Sequence, residues 1–157
     1  MGGEMKLAEA LALRAEASKR IEQLRSRIVA NARYQEGETP SEDATALLAE
    51  ADLALTELED LIRRINRTNA ATRLGEGTLT DALARRDVLR LRHKVLTSAA
   101  DAAAGRGNDY RQLRSELRQL SALPVTELRA EADRVAAELR QVDVGIQRAN
   151  WEVDLLG

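Results

Sequence analysis

The sequence predicts an all-α protein: an antiparallel bundle of about four long, coiled-coil-like helices joined by short turns. Aromatic residues make up only 2% of the 157 residues and phenylalanine is absent. Aliphatic side chains and alanine must therefore fill the core, as they do between long helices packed side by side. Charged residues make up 32%, which is enough to solvate the outer faces of such helices. Apolar residues also recur at three- and four-residue steps along most of the chain.

The first helix is predicted over residues 5–33. Arg14 and Asn31 interrupt its apolar face, which is formed by Leu7, Ala10, Leu11, Ala17, Ile21, Leu24 and Ile28. Gly37 follows in the predicted turn, where glycine can adopt the left-handed conformation that often ends a helix.

The second helix is predicted to start at Thr39, with Pro40 in its first turn and Glu42 as the capping-box partner of Thr39. Its apolar face is expected to contain Leu48, Ala51, Leu55, Leu58, Ile62, Ile65 and Asn69. Because the intervening loop is short, the first two helices are expected to form an antiparallel hairpin.

The third helix follows the Gly-Glu-Gly sequence at residues 75–77, with Thr78 or Thr80 as its N-cap, and is predicted to reach about Ala104. Its apolar residues are less regular: Leu79, Leu83, Leu89, Val95, Leu96, Ala99, Ala100 and Ala103. Residues 105–123 are expected to be irregular or a short helix, because helical leucine spacing and strand-like alternation overlap there.

The last helix is predicted to begin near residues 124–126 and has the most regular heptad pattern of the chain. Its apolar positions are Leu128, Ala132, Val135, Leu139, Val142, Ile146, Ala149 and Val153. Residues 1–4 resemble a leader or tag, and residues 5–157 are expected to form a single helical-bundle domain.

Polar residues interrupt the apolar faces near one end of the predicted bundle. If neighbouring helices are antiparallel, four helix ends meet at the same end of the bundle. They are the start of the first helix, the end of the second, the start of the third and the end of the fourth. The predicted polar cluster consists of Glu9, Arg14, Asn66, Asn69, Arg86, Asp87, Gln147, Asn150 and Trp151. An unpaired buried amide costs about 1–3 kcal/mol, so these groups need partners, water or a ligand.

Three interpretations of this cluster are open. The polar groups could form an internal network that fixes helix register. They could line a pocket for a small ligand or anion, with Arg86 and the amides as donors. They could also form a catalytic or metal centre in which Glu9 and Asp87 approach each other.

The residue types argue against catalysis and metal binding. His93 is the only histidine and no Glu-x-x-His pair exists, whereas a four-helix di-metal site needs two such pairs. The chain has no cysteine and no Gly-x-Ser-x-Gly sequence, so a nucleophile is not apparent. We therefore expect a protein that is not an enzyme and has neither a bound metal nor a cofactor.

Charge and hydropathy limit the classes of partner that the protein is expected to bind. The net charge is −2, and the basic run at residues 85–94 lacks interleaved aromatic residues, so no nucleic-acid partner is expected. The chain also lacks a secretory signal pattern and the roughly 20 consecutive apolar residues of a membrane span. The expected location is the cytoplasm, with no membrane partner.

Five sequence motifs resemble a family of small bacterial proteins labelled septicolysin. In chain order they are KLAEAL, NARYQEGETP, INRTNAATRL, LTDALARRDVL and IQRANWEVDLL, and the resemblance covers most of the chain from residue 5 to residue 156. The resemblance implies a small all-helical protein whose function is uncharacterised, and the family label implies a cytolysin.

The expected function is that of a non-enzymatic, self-associating helical protein that serves as a scaffold or protein-interaction module. Long helices in a chain of this size expose much of their flanks, and heptad-patterned faces suit partner helices. The alternatives are binding of a small ligand or anion at the polar cluster and, more distantly, the cytolytic role that the family label implies.

Overall fold

The computed structural model describes residues 4–105 and 117–157, and this part of the chain is all-α. It contains four helices and one two-stranded sheet. The elements are α1 (Leu7–Ala30), α2 (Ala44–Ala71), β1 (Arg73–Leu74), β2 (Gly77–Thr78), α3 (Leu79–Ala103) and α4 (Val125–Glu152). Helices account for 73% of the structure, which confirms the predicted fold class.

The chain divides into two compact units. The first comprises the chain up to Arg73 together with Arg148–Gly157, and the second comprises Leu74–Gln147. The expectation of a single domain over residues 5–157, with 1–4 as a leader, stays a prediction.

In the first unit, α1 and α2 form the predicted antiparallel hairpin. Arg20 of α1 lies 2.9 Å from Glu50 of α2, and nearer the connecting loop Arg27 forms a bidentate ion pair with Glu42. Leu24, Leu47 and Ala54 form the buried core between the helices, and Ile21, Ile28 and Ala51 pack against it. The predicted apolar face of α1 is confirmed, because every one of its members is buried or half-buried.

The apolar face of α2 is only partly as predicted: at every second position of the predicted row, the residue that packs is the one immediately before the predicted residue. Leu48 and Leu55 are 56% and 50% exposed, whereas Leu47 and Ala54 are 5% and 4% exposed. The face that packs in the first unit follows Leu47, Ala51, Ala54, Leu58, Leu61, Ile65 and Thr68. One residue corresponds to 100° of helix rotation, so Thr68 is buried in place of Asn69.

The start of α2 also differs from the prediction. The N-cap is Asp43, whose carboxylate accepts hydrogen bonds from the backbone N–H groups of Thr45 and Ala46 at 3.0 and 3.4 Å. Thr39 therefore lies in the connecting loop, and Glu42 is held by Arg27 instead of closing a capping box.

Asn31, predicted as a polar interruption in α1, lies just beyond the helix and fixes the loop. Its Nδ2 donates to the carbonyl oxygen of Arg27 at 2.8 Å, and its Oδ1 accepts from the Glu42 backbone N–H at 3.0 Å. Gly37 has a φ of +88°, as the turn prediction requires.

In the second unit, α3 begins as predicted at Thr78. The Thr78 hydroxyl and the Asp81 carboxylate form a reciprocal capping box. Arg85 lies 2.9 Å from Glu138, and Asp101 lies 3.1 Å from Arg129. Since residues near the start of α3 pair with the middle of α4, and the end of α3 with the start of α4, the two helices are antiparallel.

The predicted heptad of the last helix is confirmed, because its seven positions within α4 and Val153 just after the helix are all buried or half-buried. The prediction for α3 is wrong at Val95, which is 66% exposed. Residues 117–124 are irregular, and the rest of the region expected to be irregular or a short helix, 106–116, lies outside the described residues.

Candidate functional site

The residues of the predicted polar cluster fall into both units. Those in the first unit are Glu9, Arg14, Asn66, Asn69, Asn150 and Trp151, and those in the second are Arg86, Asp87 and Gln147. Convergence of all nine at one site therefore stays a prediction.

In the first unit, Asn150 is the most buried member of the predicted cluster at 9% exposed, and Asn69 is half-buried. The other four are exposed, including Trp151 at 65%. Within residues 4–105 and 117–157, the side-chain amides of Asn66, Asn69 and Asn150 form no hydrogen bond. Solvent still reaches the amides of Asn69 and Asn150, so water can satisfy them.

In the first unit, the polar contacts near the start of α1 and the end of α2 are formed by residues outside the predicted cluster. The segment 153–157 lies against the start of α1 and the end of α2. The Leu7 backbone N–H donates to the Val153 carbonyl at 2.9 Å, and the Leu155 N–H donates to the Met5 carbonyl at 2.7 Å. These two bonds form an antiparallel bridge between Lys6 and Asp154.

Lys6 and Asp154 add an ion pair to this bridge, with Lys6 Nζ 2.6 Å from Asp154 Oδ1. The hydrogen bond from Lys6 holds the pKa of the Asp154 carboxyl below its ordinary value, and the same bond raises the pKa of the Lys6 ammonium. Both side chains are well exposed, at 38% and 44%, so solvent screens the attraction. The pair helps to fix register but is not a buried charge site.

Thr68 connects the same segment to α2. Its side chain is fully buried, its hydroxyl donates to the Arg64 carbonyl at 2.7 Å, and its oxygen accepts from the Leu156 backbone N–H at 3.0 Å. Arg64 Nε and an Arg67 amino group donate to the carbonyl oxygens of Leu156 and Gly157, each at 3.0 Å. Three polar residues of α2 therefore bind the backbone of segment 153–157.

Sequence reasoning missed these residues for identifiable reasons. The predicted apolar face of α2 is displaced by one residue at alternate positions, so it contains Asn69 where the structure buries Thr68. Segment 153–157 bonds mainly through its backbone, which leaves no trace in side-chain periodicity. One signal is present in the sequence: Leu155 is a large apolar residue that follows the end of the heptad at Val153, and it is 7% exposed.

In the second unit, Arg86 lies on the half-buried side of α3 with its side chain 23% exposed. Its Nε is buried and forms no hydrogen bond within the described residues, although Asp87 Oδ1 lies 3.5 Å away. At that distance the carboxylate provides Coulomb attraction without hydrogen-bond geometry. Asp87 is itself 65% exposed.

Two surface hollows also belong to the second unit. One, of about 390 Å³, is lined by residues 74–78 and by Ala82, Arg85 and Val142. The other, of about 430 Å³, lies between the end of α3 and residues 119–123 and is lined largely by alanine. Neither contains Arg86, Asp87 or Gln147.

The described residues place no group of three or more histidine, cysteine, aspartate or glutamate side chains where it could hold a metal ion. None of the helices in this part of the chain combines the length and apolar composition needed to cross a bilayer.

Comparison with known proteins places the chain among uncharacterised relatives. Residues 14–155 match a family of unknown function, DUF6847. A crystal structure of a functionally unknown conserved protein from Corynebacterium diphtheriae is similar, with 41% sequence identity and a TM-score of 0.92 over 98% of this chain and 100% of that one. No curated protein matches. Neither match carries the septicolysin label.

Proposed function

Since the chain belongs to DUF6847, a family of unknown function, we propose a function from its surface: a non-enzymatic helical protein that self-associates and serves as a scaffold or interaction module. The observation that carries the proposal is a row of exposed apolar residues on α3. Val88, Leu91 and Val95 are 51%, 62% and 66% exposed.

A single exposed leucine or valine is ordinary on a protein surface. These three are different because their spacing of three and four residues aligns them on one side of a helix. Their side of α3 is opposite the buried residues Leu89 and Ala100. An aligned apolar row on a helix with charged neighbours is the surface that a partner helix covers.

Replacing Leu91 with lysine is expected to weaken self-association strongly. The wild-type protein should show a mass that rises with concentration from 17.3 kDa toward twice that value in light scattering. A lysine in the centre of the row must be desolvated on association, which should weaken binding by at least about tenfold.

The matched control is Leu53→Lys, because Leu53 is 67% exposed but lies on α2 in the first unit. It should associate like the wild type. A wild-type protein that stays strictly monomeric up to several hundred micromolar would reject self-association, and equal weakening by both lysines would reject the assignment to α3.

The non-enzymatic part of the proposal is supported by composition, since the chain has no cysteine and one histidine. An interaction role for a cytoplasmic protein is likewise an expectation from the sequence.

Two other functions stay predictions. Anion or small-ligand binding is favoured by Arg86, whose Nε is buried and has no hydrogen-bond partner among the described residues. Titration calorimetry with inorganic phosphate tests this function. The absence of binding heat would exclude phosphate as the ligand. The cytolytic role follows only from the septicolysin resemblance. Incubation of the protein with dye-loaded liposomes tests it, and the absence of dye leakage would reject this role.

A further inference from the structure

The apolar row on α3 extends in both directions as a regular heptad pattern. Val88, Leu91 and Val95 are followed and preceded at the same steps by three smaller exposed residues, and we call all six the outer stripe of α3: Ala84, Val88, Leu91, Val95, Ser98 and Ala102. The spacing is four, three, four, three and four. Such a pattern keeps one face of a helix against a partner helix over nearly three heptads.

The order of residue types within the outer stripe specifies a kind of partner. In heptad notation Val88 and Val95 occupy the a positions and Leu91 occupies the d position between them. Among parallel coiled coils, β-branched residues at a with leucine at d favour two strands over three or four. Alanine and serine at the remaining positions allow close approach of two helix backbones.

The charges beside the outer stripe favour the same arrangement when the partner is a second copy. Asp87 lies at a g position and Arg92 at the following e position, and both are exposed. In a parallel, in-register pair, Asp87 faces the partner's Arg92, and the twofold axis produces this attractive pair twice.

Antiparallel pairing of two copies is less favourable by charge. The register that aligns the whole stripe places Lys94 opposite Lys94 and Arg92 opposite Arg92. In a register shifted by one heptad, Asp87 faces the partner's Lys94, but Arg85 faces the partner's Arg92. Like charges in these flanking positions destabilise a helix pair.

We infer that the outer stripe of α3 is the docking surface for α3 of a second copy of this chain, with the two helices parallel and in register. This inference rests on the proposed self-association and specifies its geometry.

The absence of cysteine makes the geometry directly testable. Ser98 lies at a d position, so a parallel pair brings residue 98 of one copy against residue 98 of the other. The Ser98→Cys variant should form an intermolecular disulfide under mild oxidation by oxidised glutathione. Its rate should exceed that of Arg90→Cys by at least about tenfold, because Arg90 is exposed on α3 but lies off the stripe.

A charge exchange provides an independent readout. In the Ser98→Cys background, Asp87→Arg should slow disulfide formation, and adding Arg92→Asp should restore it. Circular dichroism spectra and thermal unfolding confirm that each variant is folded, and Ala102→Cys, at an a position, provides a second crosslinking site if Ser98→Cys fails to fold.

The outcomes separate this inference from the proposed function. If the wild type associates in light scattering but Ser98→Cys and Ala102→Cys crosslink no faster than Arg90→Cys, parallel pairing of α3 is wrong and self-association stands. If the wild type is strictly monomeric, both are wrong. Slowing by Asp87→Arg without restoration by Arg92→Asp would reject the in-register ion pair and with it the proposed register.

Discussion

Replacing Leu47 with alanine is expected to lower the free energy of unfolding by about 2–4 kcal/mol, whereas Leu48→Ala should cost less than about 1 kcal/mol. Leu47 is 5% exposed and packs with Leu24 and Ala54 in the core of the α1–α2 hairpin, so truncation leaves a cavity there. Leu48 is 56% exposed and loses little buried area.

The two variants form a closely matched pair. They lie next to each other in the same helix, remove the same atoms and change helix propensity equally, so their difference isolates burial. Urea unfolding followed by circular dichroism at low protein concentration gives both values, because dilution removes any contribution from association. Equal costs would contradict the burial of Leu47 in preference to Leu48, and a larger cost at Leu48 would show that α2 packs on the face predicted from the sequence.

Replacing Leu155 with alanine is expected to cost about 2–3 kcal/mol, although Leu155 follows the last helix. Its side chain is 7% exposed, and its backbone N–H bonds to Met5 at 2.7 Å. Truncation removes the apolar anchor that holds segment 153–157 against the start of α1 and the end of α2.

Leu156→Ala is the control for this prediction. Leu156 is 45% exposed, and its bonds to Thr68 and Arg64 use only its backbone atoms, which alanine retains. We expect a cost below about 1 kcal/mol by the same unfolding measurement. Comparable losses at the two positions would mean that the side chain of Leu155 is not what anchors the segment.

The helices themselves could be predicted from the sequence because their signals are local. The heptad of α4, the capping residue Thr78 and the glycine turn at Gly37 each depend on neighbouring residues, and each appears as predicted. Helix boundaries were less accurate. Asp43 caps α2 where the sequence predicts Thr39, and Glu42 in the loop bonds to Arg27 of α1, a contact that local sequence does not reveal.

The packing face of α2 could not be predicted because the helix carries two overlapping apolar rows. One contains Leu47, Ala54 and Leu61, and the other contains Leu48, Leu55 and Ile62, with residues 51, 58 and 65 common to both. Helical periodicity supports either row equally well, and only the fit against α1 decides between them. This ambiguity moved the expected polar position from Thr68 to Asn69.

The contacts made by polar residues at this end of the helices could not be predicted for a similar reason. An antiparallel arrangement of the helices predicts that Asn66, Asn69 and Asn150 lie near one end, but it does not determine which polar groups form hydrogen bonds there. Thr68 bonds to Arg64 and to the backbone of Leu156, both within the first unit. These contacts depend on the path of segment 153–157, which periodicity does not report.

Side-chain labelling by hydroxyl radicals tests the proposed α3 interface most directly. Labelling of the wild-type protein should be compared by mass spectrometry at concentrations well below and well above the association midpoint found by light scattering. We predict that labelling of Val88, Leu91 and Val95 falls at high concentration while labelling of Leu53 stays constant. Unchanged labelling of the three α3 residues, with protection at Leu48 and Leu55 instead, would contradict the interface and assign it to α2.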